Sequence, residues 1–286
     1  MEGKMEFLKD TLKGVVVGIA NAIPGVSGGT MMVSMGVYDN IIYCITHLFK
    51  ELAKCIRILL PYIVGMLIGI VGLAFGIKYL DANFPFQTRM VFIGLILGGV
   101  PAIWNRVKKS TAGAGNIIVF LLFFVAIIAM QYFGNDGTDV TLEIGVVSLI
   151  KIFLIGILAS ATMVIPGVSG SMMLMILGYY NPIMTAITDF VSGVTKGNFE
   201  QALHVAAFLI PFGLGVVIGV FLIAKIIELL LAKWEGLTYA AILGLVASSP
   251  VVVLMGTALA GLGAVTIVTG VIALVLGIAV ALKMGD

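Results

Sequence analysis

Apolar runs of about 20 residues, separated by short polar stretches, recur along most of this chain. A run of that length crosses the hydrocarbon core of a bilayer as an α-helix. Six full spans are predicted, near residues 57–80, 89–104 and 115–133 in the first half and 207–230, 238–258 and 263–282 in the second. Each set of three is preceded by an apolar segment broken in its middle by Pro-Gly-Val-Ser-Gly. Short alternating segments of the β-barrel kind are absent from the pattern. The expected fold is all-α and polytopic, a membrane protein of two repeats. Each repeat is a broken, re-entrant segment followed by about three transmembrane helices.

The breaks mark a duplication. Residues 18–41 read GIANAIPGVSGGTMMVSMGVYDNI, and residues 160–183 read SATMVIPGVSGSMMLMILGYYNPI. Aligned without gaps they share Pro24/Pro166, Gly25/Gly167, Ser27/Ser169, Gly28/Gly170, Met31/Met173 and Tyr38/Tyr180, among others. With an added spacer, Pro61, Gly65 and Gly69 match Pro211, Gly215 and Gly219, and Gly94 matches Gly244. One unit is used twice, as 1–138 and 139–286 within one membrane domain. If each broken segment leaves on the side it enters, each half crosses three times, and the two halves must be oppositely oriented.

Charge supports the same topology. With the N-terminus in the cytoplasm, 12 of the 16 Lys and Arg residues fall inside, and only Lys78, Arg89, Lys151 and Lys196 fall toward the outside. The central loop carries Asp136, Asp139 and Glu143 without a basic residue. The expected location is therefore the cytoplasmic (inner) membrane, with both termini inside. Composition agrees, at 61% hydrophobic and 10% charged residues with 36 glycines. A net charge of +2 gives no reason to expect a nucleic-acid partner. Three early lysines and Ala20-Asn21-Ala22 resemble a signal peptide, but a related block recurs in mid-chain, so the N-terminus is expected to be retained. If 44–55 is one helix, Cys44 and Cys55 lie about 16 Å apart, too far for a disulfide, and are read as reduced, incidental thiols.

Proline removes a helix hydrogen bond and glycine permits unusual dihedrals, so PGVSG breaks a helix at membrane depth. Such backbone is tolerated only beside protein or a water-filled cavity. A helix restarting there offers free N–H groups and a positive dipole end. Ser27, Thr30, Ser169 and Ser171 would add hydroxyls, making a neutral cradle for phosphate or carboxylate with Asn21, Pro24, Gly25, Gly28, Gly29, Pro166, Gly167 and Gly170. The plain alternative is a kink and a close-packing patch. Two copies in opposed halves, each with serine beside the break, favour a binding site.

Other side chains are more ambiguous. Arg89 offers either a bidentate phosphate contact from outside or a boundary anchor. Asp39, replaced by Asn181 in the second copy, is either a coupling-proton carrier or a helix cap. Lys13, Lys78 and Lys225 are expected to snorkel to the headgroups. His47 and His204 lack a metal-ligand spacing and are expected at the solvated interface. Met31, Met32 and Met35, with Met172, Met173 and Met175, are expected in packing or lipid contact, or as an adaptable groove for a lipid chain. No metal or other cofactor is expected.

With PGVSGGT, PGVSGS and the GLILGGVP of 94–101, nearly the whole chain resembles the polyprenyl-phosphate transporter family of bacteria and archaea. The resemblance implies return of undecaprenyl phosphate, the carrier lipid of cell-wall synthesis, from the outer to the inner leaflet. It implies a phosphate-headed isoprenoid lipid as partner, and a proton or sodium ion would be the coupling ion. In the second copy Ser171 and Met172 stand where Gly29 and Thr30 stand, so the half-sites need not bind alike. Undecaprenyl-diphosphate phosphatases carry a related PGxSRSG motif, but Gly28 and Gly170 take the place of its arginine here and no carboxylate pair lies in the breaks. The chain is therefore expected not to be an enzyme. An ion channel or an ion-coupled carrier of small anions is the third class.

Overall fold

A computed structural model describes residues 2–22, 27–72, 79–80, 82–109, 113–134, 138–257, 259 and 261–285, and all regular structure among them is helical. The first half runs α1 (Glu2–Ala22), α2 (Gly28–Ser34), α3 (Tyr38–His47), α4 (Leu52–Leu67) with a π-helical extension (Ile68–Gly72), α5 (Pro85–Lys108) and α6 (Ala114–Phe133). The second runs α7 (Val146–Val164), α8 (Gly170–Ile176), α9 (Tyr180–Thr195), α10 (Phe199–Met255) and α11 (Ala264–Gly285).

Six of these helices are long and apolar enough to cross a membrane: α4 with part of its extension, α5, α6, α7, α10 and α11. The chain is a multi-pass helical membrane protein. α10 has 57 residues, and its backbone leaves helical geometry at Trp234 (φ −137°, ψ 54°), giving limbs over 199–233 and 235–255. The limbs correspond to the two spans expected at 207–230 and 238–258. α4 and α5 begin about a turn earlier than expected, and Pro101 does not end α5, which continues to Lys108. α7, assigned by sequence to the second broken segment, is apolar enough to span. Its counterpart α1 is not among the six, since its first half carries Lys4, Glu6, Lys9, Asp10 and Lys13.

Glycines set the closest helix contacts. Gly14 of α1 meets Gly65 of α4 backbone to backbone, and the sequence-equivalent Gly156 of α7 meets Gly215 of α10 in the same way. The last spans are exchanged. α11, from the second half, lies along α5 through Gly94 and Gly277, while α6, from the first, lies along the second limb of α10 through Gly244 and Phe120. The segments 1–138 and 139–286 are thus interleaved in space. α5 is the most enclosed span, with 56% of its most apolar stretch buried against 11% for α6. The outward Leu, Ile, Val and Phe residues of the other spans make an apolar exterior suited to lipid.

α5 and the second limb of α10 run antiparallel. Arg89, near the start of α5, donates to the carbonyl of Gly256 at the end of the limb, and Arg106, near the end of α5, lies 3.6 Å from Glu235 at the start of the limb.

Two expectations need correction. Residues 44–55 are not one helix: α3 ends at His47, and the chain reverses before α4 starts at Leu52. The reversal is held by Tyr43 donating to Glu51 (2.9 Å) and by Lys54 on Glu51 (2.7 Å). It brings the buried Cys44 and Cys55 thiols into contact rather than 16 Å apart, and both are free thiols. His47 is not simply solvated either. It stacks on Tyr43 with ring centroids 4.3 Å apart and lies 3.7 Å from Glu228 of α10. Among the methionines, Met31 and Met35 are fully enclosed core residues, whereas Met172, Met173 and Met175 are half-buried.

Candidate functional site

The local design of the two breaks is the same. After each break a serine in extended geometry precedes a seven-residue helix, Ser27 before α2 (φ −90°, ψ 124°) and Ser169 before α8 (φ −99°, ψ 126°). Each short helix ends at a glycine in the left-handed region, Gly36 (φ 68°) or Gly178 (φ 74°). The closing hydrogen bonds match as well, Val37 N–H to Met32 O (3.0 Å) and Tyr179 N–H to Leu174 O (2.8 Å). This is the glycine-capped helix end that satisfies orphan carbonyls. The first turn of α8 folds back on α7, with Gly170 against Ala159 and Met163, and Gly28 lies in the equivalent way against Asn21 of α1. The turn after α8 also returns to the loop that leads into α7, where Val140 N–H donates to Gly178 O (3.0 Å) and Asn181 donates to Asp139 (3.2 Å).

The two breaks meet. Ser27 Oγ donates to the carbonyl of Val168 (3.0 Å) and caps α2 by accepting from Thr30 N–H (3.4 Å). Thr30, fully buried, accepts from Gly167 N–H (2.7 Å) and lies 3.3 Å from Ser249 Oγ. Ser249 in turn donates to Leu245 O (3.2 Å), and that carbonyl closes on Gly167, whose Cα would carry a β-carbon only 2.5 Å from it. Gly167 also has φ +84°, so an L side chain would be strained there even with space. Gly167, Thr30, Ser249 and Leu245 thus form a polar chain between the halves, with the Leu245 carbonyl packed against Gly167. Gly29 sits beside the last carbonyls of α7, from Met163, Val164 and Ile165. The negative end of α7 therefore already faces the positive start of α2.

The second break is different. Ser169 makes no cap to α8; its Oγ pairs with Ser171 Oγ (2.8 Å), and both residues are only half-buried. Pro166 is fully buried. Of the residues expected to bind an anion, Ser27, Gly28, Gly29, Thr30, Pro166, Gly167, Ser169, Gly170 and Ser171 are drawn into one central region. Within it only Ser169 and Ser171 offer hydroxyls that are neither buried nor committed to the opposite break. Asn21 is exposed, and its amide donates to Val17 O (3.1 Å). Pro24 and Gly25 lie outside the described residues.

Arg89 and Asp39 are elsewhere. Arg89 is half-buried at the start of α5, on a cavity of about 580 Å³ that also meets Gly256, Thr257, Thr266 and Thr269. Asp39, exposed in the first turn of α3, accepts from the Tyr239 hydroxyl (2.5 Å), and Arg106 lies 5.6 Å over the Tyr239 ring. Near these, Ser34 Oγ and Tyr38 OH are buried without a hydrogen-bond partner among the described residues.

Sequence reasoning missed Ser248 and Ser249, both buried on the second limb of α10. A signal was available. They occupy the place of Gly98 and Gly99 in the repeat, and a serine pair before Pro250 is conspicuous in an otherwise apolar span. In the first copy Gly99 instead lets Ser34 of α2 approach α5 directly.

Residues 17–264 match the model of a family described as VCA0040-like, undecaprenyl phosphate translocase-like. The chain is 31% identical over 242 residues to the polyprenyl-phosphate transporter of Staphylococcus aureus (strain NCTC 8325 / PS 47), covering 83% of each chain. It is 27% identical over 260 residues to the polyprenyl-phosphate transporter of Vibrio cholerae serotype O1 (strain ATCC 39315 / El Tor Inaba N16961), covering 86% of this chain and 77% of that one. No solved structure matches.

Proposed function

Because the chain belongs to the undecaprenyl phosphate translocase-like family, we propose that it carries a polyprenyl phosphate, undecaprenyl phosphate above all, from the outer to the inner leaflet of the cytoplasmic membrane. The observation that carries this reading is the meeting of two helix breaks between apolar spans, with the Ser169–Ser171 hydroxyl pair left half-open beside them. A phosphate headgroup is strongly hydrated, and about 30 Å of hydrocarbon bars its way. Hydroxyl and N–H donors at a break replace that water, while the isoprenoid chain stays in lipid.

The inverted-repeat reading is supported by the antiparallel course of α5 and its repeat-equivalent limb, and by the return of α8 toward the loop that precedes α7. Two opposed copies clasped at their breaks suit alternating access by rocking one half against the other. In this reading Arg89 recruits the anion at the outer face, and Asp39 with Tyr239 is the candidate carrier of a coupling proton. The chain acts as a transporter and not a phosphatase, a reading supported by the names of its relatives and by Gly28 and Gly170 in place of a cationic clamp.

The test is reconstitution into liposomes with labelled undecaprenyl phosphate. The expected result is transfer between leaflets, with no phosphate released from undecaprenyl diphosphate. Hydrolysis of the diphosphate without transfer would establish the enzyme reading instead.

A further inference from the structure

Resting on that reading, we propose that the Arg89 cavity and an apolar groove beside it form a docking site for the whole amphiphile, headgroup in the cavity and first isoprene units in the groove. The site lies apart from the paired breaks. The cavity, about 580 Å³, opens between the start of α5, the end of α10 and the start of α11. Its polar wall holds the Arg89 guanidinium, whose N–H donates to Gly256 O, and the hydroxyl residues Thr257, Thr266 and Thr269. Gln87 donates to Thr269 Oγ1 (2.9 Å) and so fixes one side of that wall. Thr257 and Thr269 donate their hydroxyl protons to the Val253 and Val265 carbonyls, so the match to the oxygens of a phosphate monoester in charge and geometry rests on the planar guanidinium.

The groove supplies the second half of the argument. It is about 460 Å³ and runs between α1 and α5, with Val16 and Ile19 on one wall and Val91 and Leu95 on the other. Phe84 and Gln87 line both the groove and the cavity, so the two lie side by side. From Phe84 to Leu95 the groove follows α5 for about 16 Å. An anion site beside an apolar groove of that length suits a phosphate on a long branched hydrocarbon, and free phosphate would use only the cavity.

The other end of α5 sharpens the case. A cavity of about 490 Å³ lies there, and the repeat places Val107 and Asn116 where the first cavity has Thr257 and Thr266. Its cation is Lys108, whose ammonium lies 5.5 Å over the Trp104 ring. An ammonium over an indole, with fewer hydroxyls, is the weaker phosphate dock. The polar dock belongs to one end of α5, which makes the Arg89 end the loading end.

Binding of labelled undecaprenyl phosphate to purified protein in detergent tests this, with isopentenyl monophosphate, inorganic phosphate and phosphatidylglycerol as competitors. Filling the groove from either wall, by Ile19→Trp or Val91→Trp, is expected to weaken undecaprenyl phosphate binding about tenfold or more. Both variants should leave competition by isopentenyl monophosphate within about twofold of wild type. Arg89→Gln is expected to weaken both ligands, with Arg89→Lys intermediate. Monodisperse elution of each variant controls for folding, and the two walls give independent trials. If wild type binds the lipid and both folded groove variants bind it equally well, the docking site is wrong while the transport reading stands. If wild type prefers phosphatidylglycerol or binds neither lipid, the transport reading itself is overturned. If inorganic phosphate competes as well as the lipid, the cavity is a free-phosphate site and the groove proposal fails.

Discussion

α2 and α8 have seven residues each, follow the same PGVSG motif and end in the same glycine cap, yet they have opposite surroundings. α2 is sunk in the core, with Gly28, Gly29, Thr30, Met31, Val33 and Ser34 all buried. In α8 only Gly170 and Leu174 are buried, and the hydroxyls of Ser169 and Ser171 face each other at a half-open surface. The copies share a scaffold and differ in polar chemistry. In the first, the hydroxyls of Ser27 and Thr30 bond across to the other break and to α10; in the second, the hydroxyls of Ser169 and Ser171 bond only to each other among the described residues.

Breaking the comparison at its hinge has the largest expected effect. Gly167→Val sets a branched side chain at φ +84° against the Leu245 carbonyl, so loss of folded protein or of all transport is expected, read by thermal melting and by leaflet transfer in liposomes. Next comes Thr30→Val, which leaves the half-buried Gly167 N–H without its Thr30 acceptor. A stability loss of about 1 to 3 kcal/mol in a chemical or thermal melt is expected. Ser27→Ala removes one hydrogen bond to Val168 and the cap of α2, with an expected cost of about 1 kcal/mol in the same melt. The smallest stability effect is that of Tyr239→Phe. Its partner Asp39 is exposed, so the melt should move by less than about 1 kcal/mol, while transport driven by a pH gradient should fall if that pair carries a proton. Unchanged gradient dependence would remove Asp39 from the mechanism.

Much of the architecture was legible because lipid imposes long apolar runs and because a repeat declares itself by identity. Both limbs of α10 were foreseen, because Lys233, Glu235 and Gly236 interrupt the apolar run around Trp234. The exchange of α6 and α11 was not legible, since spacing along the chain says nothing about which span lies beside which. The contact of Cys44 with Cys55 was missed for a simpler reason: the turn at 48–51 has neither proline nor glycine, so the segment read as one helix. At the candidate site, residue types pointed to two breaks that the structure brings together but not to which hydroxyls were open. Thr30 and Ser27 look like ligand donors in sequence, and only the approach of Gly167 and Val168 from 137 and 141 residues away reveals them as a clasp. Ser249 was overlooked because its partner lies 219 residues off.

The claim that ligand chemistry resides in the second break is tested most directly by binding of undecaprenyl phosphate to the Ser169→Ala/Ser171→Ala double variant, measured alongside its thermal melt and alongside Thr30→Val. The account predicts that the double variant melts close to wild type and loses about 0.5 to 3 kcal/mol of binding per lost donor, whereas Thr30→Val loses stability with intrinsic affinity retained in the folded fraction. Wild-type affinity in the folded double variant, with Thr30→Val instead losing affinity at unchanged stability, would contradict it.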